Sequence, residues 1–73
     1  MTLSEVLTKI DYNQLIQINL ERTKVCKGIY IELAIEEYED YLNLEVTYLS
    51  AEPQYIDSLI NCCLYIECKK EHN

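Results

Sequence analysis

The stretch LIQINLERTKVCKGIYI, residues 15–31, decides the fold class. In LIQINL, residues 15–20, apolar and polar residues alternate, which is typical of a strand with one buried face. ERTK, residues 21–24, is polar enough to turn, and the apolar residues that follow up to position 31 predict a return strand. The Gly at position 28 predicts a bulge in that strand. This stretch therefore predicts a β-hairpin.

One helix is predicted before this hairpin and another after it. TLSE, residues 2–5, has the spacing of a capping box, and apolar residues at helical spacing predict a helix over residues 3–10. Residues 34–43 predict the clearest helix, because Ala34, Ile35, Tyr38, Tyr41 and Leu42 fall on one arc and the carboxylates fall on the other.

The second half of the chain predicts two further strands. Residues 44–50 alternate like a third strand, and residues 51–54 break that pattern. Pro53 suits the first position of a helix, so a short helical turn is predicted over Tyr55, Ile56, Leu59 and Ile60. Residues 62–68 predict the last strand, with Cys62, Leu64, Ile66 and Cys68 on one face.

The fold class predicted is α+β, with a small sheet of about four mostly antiparallel strands and two or three short helices packed on it. The 73 residues make a single domain, 1–73. Residues 69–73 are expected to be a frayed tail. Because a chain of this size has a small core, self-association as a homodimer is a further expectation.

Composition excludes several classes of protein. Apolar residues make up 49% of the chain, which is too many for a disordered tail. No segment reaches the roughly 20 apolar residues of a membrane span, and the N-terminus does not resemble a signal peptide, so a cytoplasmic location is expected. The net charge of −7, with only six Lys and Arg, disfavours direct binding to nucleic acid or to an anionic membrane.

Catalysis and metal binding are not indicated. The only His is His72, one residue from the end of the chain, and no phosphate-binding or nucleophile motif is present. Structural zinc sites usually have two C-x₂₋₄-C pairs, whereas two of the four cysteines here are adjacent. We therefore expect no enzyme activity, no cofactor and no metal. The cysteines are interpreted as small buried residues or inert thiols, and their role is left open: Cys26, Cys62, Cys63 and Cys68.

Charge is the most conspicuous feature of the chain. Residues 28–68 contain nine carboxylates and no Lys or Arg. One interpretation is a solvated surface that keeps a small domain soluble. Yet Glu36 and Asp40 are like charges four residues apart, which is destabilising on a helix, and a helix optimised for stability would include Lys. The other interpretation is a surface that imitates the phosphates of nucleic acid and is attracted to a basic partner.

Tyrosine supports the second interpretation, because it is enriched at the hot spots of protein interfaces. The chain has seven Tyr and neither Trp nor Phe. Tyr30, Tyr38 and Tyr48 are assigned to the core or its edge, while Tyr41 and Tyr55 are candidates for an interface. The residues predicted to bind a partner are Glu36, Glu37, Glu39, Asp40, Tyr41, Glu45, Glu52, Tyr55 and Asp57.

The chain resembles a group of small acidic proteins encoded in phages and mobile elements of low-GC Gram-positive bacteria. The resemblance lies in TLSEVLTKID at the start, an early hairpin, a helix leading into LNLEVTYLSAE, and a closing LYIEC. The insertion of PQYIDSLINCC before the last strand departs from that layout. The resemblance implies a phage or prophage origin and action inside a bacterial host cell, and it assigns no functional residues.

Several phage anti-defence proteins, including anti-CRISPR proteins, are similar in size and acidity, which is an analogy of type. The function predicted is that of a phage-encoded, non-enzymatic inhibitor that binds a basic, nucleic-acid-binding surface of a host defence protein as a DNA mimic. Two alternatives stay open. One is a small oligomeric protein that sequesters a nucleotide-like signalling ligand, and the other is an adaptor with no inhibitory role.

Overall fold

A four-stranded mixed sheet forms the framework of the protein. The computed structural model describes residues 1–56 and 59–70, and the side chains of 1–53 and 61–70. The elements are one short helix, α1 (Leu3–Leu7), the strands β1 (Leu15–Leu20), β2 (Thr23–Ile29), β3 (Val46–Ile56) and β4 (Leu59–Cys68), and three 3-10 turns at Tyr30–Glu32, Ile35–Glu37 and Glu39–Tyr41.

The strand order in the sheet is β2-β1-β4-β3. β1 pairs antiparallel with β2 and parallel with β4, while β3 pairs antiparallel with β4. The fold is therefore α+β with mostly antiparallel strands, as the sequence predicts, and its one parallel pair places the C-terminal strand in the middle of the sheet. The helical part is smaller than expected, because α1 is the only α-helix in residues 1–56 and 59–70.

The core lies on one face of this sheet. Ile16 and Ile18 of β1 and Ile66 of β4 are fully buried there, and they point toward Leu3 and Leu7 of α1. The alternation in LIQINL thus has the predicted effect, since its even-numbered residues face the core. The predicted apolar face of the last strand is confirmed for Leu64, Ile66 and Cys68, whereas Cys62 is exposed.

The capping box at the start of α1 is confirmed. The Oγ1 of Thr2 accepts a hydrogen bond from the N–H of Glu5 at 3.3 Å, and the N–H of Thr2 donates to Oε1 of Glu5 at 3.3 Å. The helix ends at Leu7 rather than at residue 10. A helix of five residues is not stable alone, so its apolar side chains must pack on the sheet, as those of Leu3 and Val6 do.

The prediction of a continuous helix over residues 34–43 is wrong. The chain instead forms two separate 3-10 turns there, Ile35–Glu37 and Glu39–Tyr41, interrupted at Tyr38 with φ −131°. Like charges at Glu36 and Asp40 oppose a regular α-helix, and the tighter turns allow Tyr38 to point into the core.

The prediction of a break at residues 51–54 followed by a helical turn is also wrong. β3 continues through these positions to Ile56, and Leu59 and Ile60 already belong to β4. Pro53 is compatible with the strand because β3 lies at the edge of the sheet. The register places Pro53 opposite Cys62, and because proline has no N–H, this pair is one of the non-hydrogen-bonded pairs of the antiparallel ladder.

The bulge expected at Gly28 is located elsewhere. Gly28 pairs regularly with Ile16, and the register of the hairpin shifts between Ile18 and Asn19. The reason for glycine at position 28 is packing, because an added Cβ would lie 2.9 Å from Cδ2 of Leu33.

The end of the described chain is held to the sheet. The N–H of Lys69 donates to the carbonyl of Glu45 at 2.9 Å, and the N–H of Lys70 donates to Oε1 of Glu21 at 3.0 Å. The rest of the expected tail, residues 71–73, lies outside the described residues, as does Asp57. In the described part of the chain, no helix has the length and hydropathy needed to cross a bilayer.

Candidate protein-binding surface

Five exposed carboxylates lie close together between the end of β2 and residue 41. We call residues 30–41, which include all three 3-10 turns, the acidic segment. Its carboxylates belong to Glu32, Glu36, Glu37, Glu39 and Asp40, and all of them are exposed. Nine residues thus carry five negative charges, which is the densest run in the chain.

No cation of the described residues neutralises this run, because no Lys or Arg side chain forms an ion pair with it. The hydrogen bond that the structure gives to one of its carboxylates comes from the backbone, since the N–H of Ala34 donates to Oε2 of Glu37 at 3.1 Å. Glu37 therefore shapes the turn, while the other four carboxylates are available to solvent or to a partner.

Apolar residues that alternate with the carboxylates attach the acidic segment to the core. Tyr38 is 8% exposed and belongs to the core, and Leu33 and Tyr41 pack against it. Burial and the neighbouring Tyr30 raise the pKa of the Tyr38 phenol. The ring centroids of these two tyrosines lie 6.3 Å apart. The carboxylates are thus displayed on a backbone that buried side chains hold in place.

The segment crosses the core face of the sheet along β2. Burial, and secondarily the charge of Glu37, raise the pKa of the Cys26 thiol in the middle of β2. Tyr41, at the far end of the segment, borders a groove that is also lined by Val25 and Lys24. The acidic segment therefore runs beside β2, with Glu37 near the middle of that strand and Tyr41 near its start.

The other carboxylates predicted to bind a partner do not join this run. Glu45 is exposed, but it lies just before β3 and forms a β-bridge with Thr2. Glu52 is also exposed and lies about 20 Å further along β3, given a rise of about 3.3 Å per residue. It pairs with Cys63 on the sheet face opposite the core.

The tyrosine predictions have mixed outcomes. Tyr38 is in the core as expected, and Tyr30 packs against the core while stacking on Tyr12 with ring centroids 5.9 Å apart. The assignment of Tyr48 to the core or its edge is wrong, since this side chain is 61% exposed on the open face of β3. Tyr41 is half-buried. The Tyr55 side chain and all of Asp57 lie outside the described residues, so their predicted roles stay predictions.

Sequence reasoning missed a cluster of cations at one end of the sheet. Arg22 lies in the β1–β2 turn and Lys24 at the start of β2, and Lys69 and Lys70 follow directly after β4. Because Leu20 pairs with Cys68, these two places are adjacent. They hold four of the six basic residues of the chain. The parallel pairing of β1 with β4 brings them together, and no local pattern indicates that pairing.

The cysteines do not lie together, because they are divided between the two faces of the sheet. Cys26, Cys63 and Cys68 are buried and Cys62 is exposed, and all four are free. Cys63 does not belong to the main core cluster, and its neighbours Leu15 and Glu52 place it on the opposite face of the sheet. Within the described residues, no group of three or more potential ligands is placed to hold a metal ion.

Comparison with known proteins gives no relative for this chain. No protein-family model matches it, and neither a curated protein nor a solved structure shows a significant match. The functional argument therefore depends on the arrangement of its own residues.

Proposed function

We propose that this chain is a non-enzymatic inhibitor that binds a basic, nucleic-acid-binding surface of a host defence protein. The observation that carries the proposal is the acidic segment, in which five exposed carboxylates lie within nine residues and no Lys or Arg of the described chain forms an ion pair with them. In this proposal the segment imitates the phosphates of a nucleic acid strand. The phage or prophage origin and the bacterial cytoplasm as site of action follow from the resemblance of the sequence.

The anchoring of the acidic segment supports a role beyond solubility. Carboxylates that only keep a domain soluble need no fixed geometry, whereas mimicry of phosphates requires charges held in place. Here the buried ring of Tyr38 lies between Glu37 and Glu39 in the sequence and fixes both turns. Like charges held together cost stability, and a basic partner would relieve that repulsion on binding.

Electrostatic recognition of this kind has a definite signature. Long-range attraction raises the association rate at low ionic strength, and salt screens it over a Debye length of about 10 Å at 0.1 M. The complex should therefore form at about 50 mM salt and dissociate at about 500 mM, because the Debye length falls severalfold over that range.

The test is a pair of charge-reversal variants with the same change in net charge. Glu39→Lys/Asp40→Lys reverses two charges of the acidic segment and spares Glu37, which caps a turn. The control, Glu45→Lys/Glu52→Lys, reverses two exposed carboxylates on β3 and just before it. Each protein is immobilised, and bound proteins are captured from a bacterial lysate at low and high salt and identified.

The proposal predicts that the parent and the control capture the same nucleic-acid-binding protein at low salt, and that the acidic-segment variant does not. Purified parent should then compete with a DNA or RNA duplex for that protein. Equal capture by both variants, capture that resists high salt, or a captured protein whose nucleic-acid binding is unaffected would each contradict the proposal.

One observation favours a second candidate, the binding of a nucleotide-like ligand. A groove of about 490 Å³ at the cationic end is bordered by Lys24, Lys70 and the half-buried ring of Tyr41. Cations can bind phosphates, and a tyrosine ring can stack on a base. Against it, Glu21 borders the same groove. A panel of nucleotides that raises the melting temperature of the parent, but not of Lys24→Ser/Lys70→Ser, would favour this candidate.

A further inference from the structure

β3 lies at one edge of the sheet, and its pairing with β4 determines which of its backbone groups face outward. Pro53 has no N–H and pairs with Cys62, whose carbonyl accepts a hydrogen bond at 2.7 Å from Nε2 of Gln14, just before β1. The carbonyl of Cys68 likewise accepts the N–H of Glu21, just after β1, at 3.2 Å. The even-numbered residues of β4 between these two therefore turn their backbone groups toward β1 and away from β3.

The residues of β3 that pair with these positions turn their own backbone groups toward the outer edge. They are Val46, Leu49, Ala51 and Pro53. The N–H of Val46 agrees with this direction, because it donates at 2.8 Å to the carbonyl of Met1 rather than to β4. In the described chain, no backbone hydrogen bond reaches this edge between positions 47 and 53. Leu49 and Ala51 are exposed, so their N–H and C=O groups are open to a further strand.

The other edge strand, β2, has features that oppose such pairing. Lys24 and Lys27 are exposed on it, and the register shift of the hairpin leaves Val25 between them without a partner in β1. Lysines and bulges are two of the means by which proteins protect a sheet edge. Between Tyr48 and Glu52, β3 has neither. The edge of β3 is therefore the one that accepts a strand.

The open part of β3 is short and has definite limits. A register shift leaves Thr47 without a partner in β4, and Pro53 has no N–H to donate. Between them, Tyr48 is 61% exposed and Leu49 is 44% exposed, on opposite faces of the sheet. We call residues 48–52 the edge segment, which contains a single charged residue in an otherwise acidic chain. Two copies therefore repel each other little at this segment.

We propose that the protein is a homodimer in which the edge segments of two copies pair antiparallel about a two-fold axis at Ser50. In this register Leu49 exchanges two backbone hydrogen bonds with the partner's Ala51, and Ala51 does the same with the partner's Leu49. Thr47 then faces the partner's Pro53, so that the bulge and the proline, which limit the ladder, fall opposite each other. A second copy fits because the edge segment is complementary to itself.

The side chains of the edge segment also match in this register. Tyr48 lies opposite the partner's Glu52, in a pair of the type that brings side chains closest. The phenol donates to the carboxylate, and the two Glu52 carboxylates stay apart. On the other face, Leu49 lies beside the partner's Ala51. The inference is independent of the proposed function, because the acidic segment lies beside β2, at the far edge of each sheet.

The first test removes one edge N–H. Ala51→Pro keeps the pairing with β4, because the N–H of residue 51 faces away from that strand, but each copy loses a hydrogen bond to its partner. Ala51→Val keeps the N–H and is the matched control. Sedimentation equilibrium at about 0.1 mM should give twice the 8.6 kDa of one chain for the parent and the control. Ala51→Pro should raise the dissociation constant at least about tenfold.

The second test places charge on the two-fold axis. Ser50 lies directly opposite the partner's Ser50, so Ser50→Lys and Ser50→Asp should each weaken self-association through like-charge repulsion. An equimolar mixture of the two variants should associate more tightly than either alone, because opposite charges then face each other. Circular dichroism and thermal melting establish that each variant is folded.

A parent of single-chain mass would overturn the proposal and leave the edge segment to an extended segment of another protein. A folded Ala51→Pro variant that associates like the control would also overturn it. If Ala51→Pro does not fold, the mixture decides, since Ser50 variants that associate no better together than apart rule out an axis at this residue.

Discussion

The side chain of Leu33 occupies the space where residue 28 would carry a Cβ. An ideal Cβ on Gly28 would lie 2.9 Å from Cδ2 of Leu33 and 3.5 Å from its Cγ. Leu33 is half-buried and packs against the core between the first two 3-10 turns. This contact brings the acidic segment down onto β2, so that the absence of a side chain at one strand position sets how close the segment lies to the sheet.

Gly28→Ala should therefore lower the free energy of unfolding by about 1 kcal/mol, because the added methyl displaces Leu33. In a Leu33→Ala background the same substitution should cost nothing, since the space is then free, and alanine also suits a strand better than glycine. Urea denaturation of the four proteins of this double-mutant cycle measures the coupling. Equal costs in both backgrounds would show that Leu33 is not the reason for glycine.

The β1–β2 turn offers a stabilising substitution. Glu21 and Arg22 both have positive φ, 50° and 68°, which is the left-handed conformation. Arg22→Gly should raise the free energy of unfolding by about 0.5–1 kcal/mol, because glycine adopts this conformation without the Cβ penalty. The hydrogen bond from the N–H of residue 22 to Oε2 of Glu67, 3.0 Å in length, uses the backbone and is kept.

The control for this prediction is Lys24→Gly. Lys24 lies in β2 and has no positive φ, so glycine there should destabilise the protein by about 0.5–1 kcal/mol. Thermal melting of both variants gives the comparison. Destabilisation by Arg22→Gly would mean that the arginine side chain contributes more than its backbone conformation costs.

The capping box of α1 predicts that the pKa of the Glu5 carboxyl depends on Thr2. Hydrogen bonds from the backbone N–H and then the side chain of Thr2 lower the pKa of the Glu5 carboxyl. The folded state thus gains stability from this carboxylate above its unfolded pKa and loses it as the pH falls through the lowered folded value. In Thr2→Ala the side-chain bond is lost, so the pKa of Glu5 should rise part of the way back, as NMR titration of the carboxyl would measure. An unchanged pKa would contradict the capping box.

The cysteines should differ in reactivity. Burial raises the pKa of Cys68 to about 11, and burial also raises the pKa values of Cys26 and Cys63. Since the thiolate is the reactive form, these three thiols should react slowly at pH 8, and the exposed Cys62 should react first. Labelling of the native protein with a thiol reagent, followed by mass spectrometry, should show one rapid addition that Cys62→Ser abolishes.

Because the core lies on one face of the sheet, truncating a buried isoleucine should cost more stability than truncating an exposed one. Ile66 is fully buried in the central strand β4, and Ile31 is 64% exposed. Ile66→Val should cost about 1 kcal/mol through the cavity it leaves, whereas Ile31→Val should change the stability of the monomer by less than about 0.5 kcal/mol. Urea denaturation at low protein concentration measures both. Similar costs would mean that Ile31 is packed as tightly as Ile66.

The local sequence pattern was enough to predict the elements that depend on interactions between neighbouring residues. The alternation in residues 15–20 predicted β1 and its buried side, since residues two apart on a strand share a face. The capping box at Thr2 predicted the start of α1, because its hydrogen bonds span only three residues. The run of carboxylates was evident from composition, and their exposure followed from the cost of burying unpaired charge.

Contacts between residues that are distant in the sequence determined the features that the local pattern could not predict. Pro53 suits the start of a helix as well as an edge strand, and only pairing with β4 selects the strand. Residues 34–43 have a helical period, yet the repulsion of their carboxylates and the burial of Tyr38 favour separate turns. The parallel pairing of β1 with β4 joins residues about 48 positions apart. This pairing brings four cations together, and it depends on the packing of the whole chain rather than on any local preference.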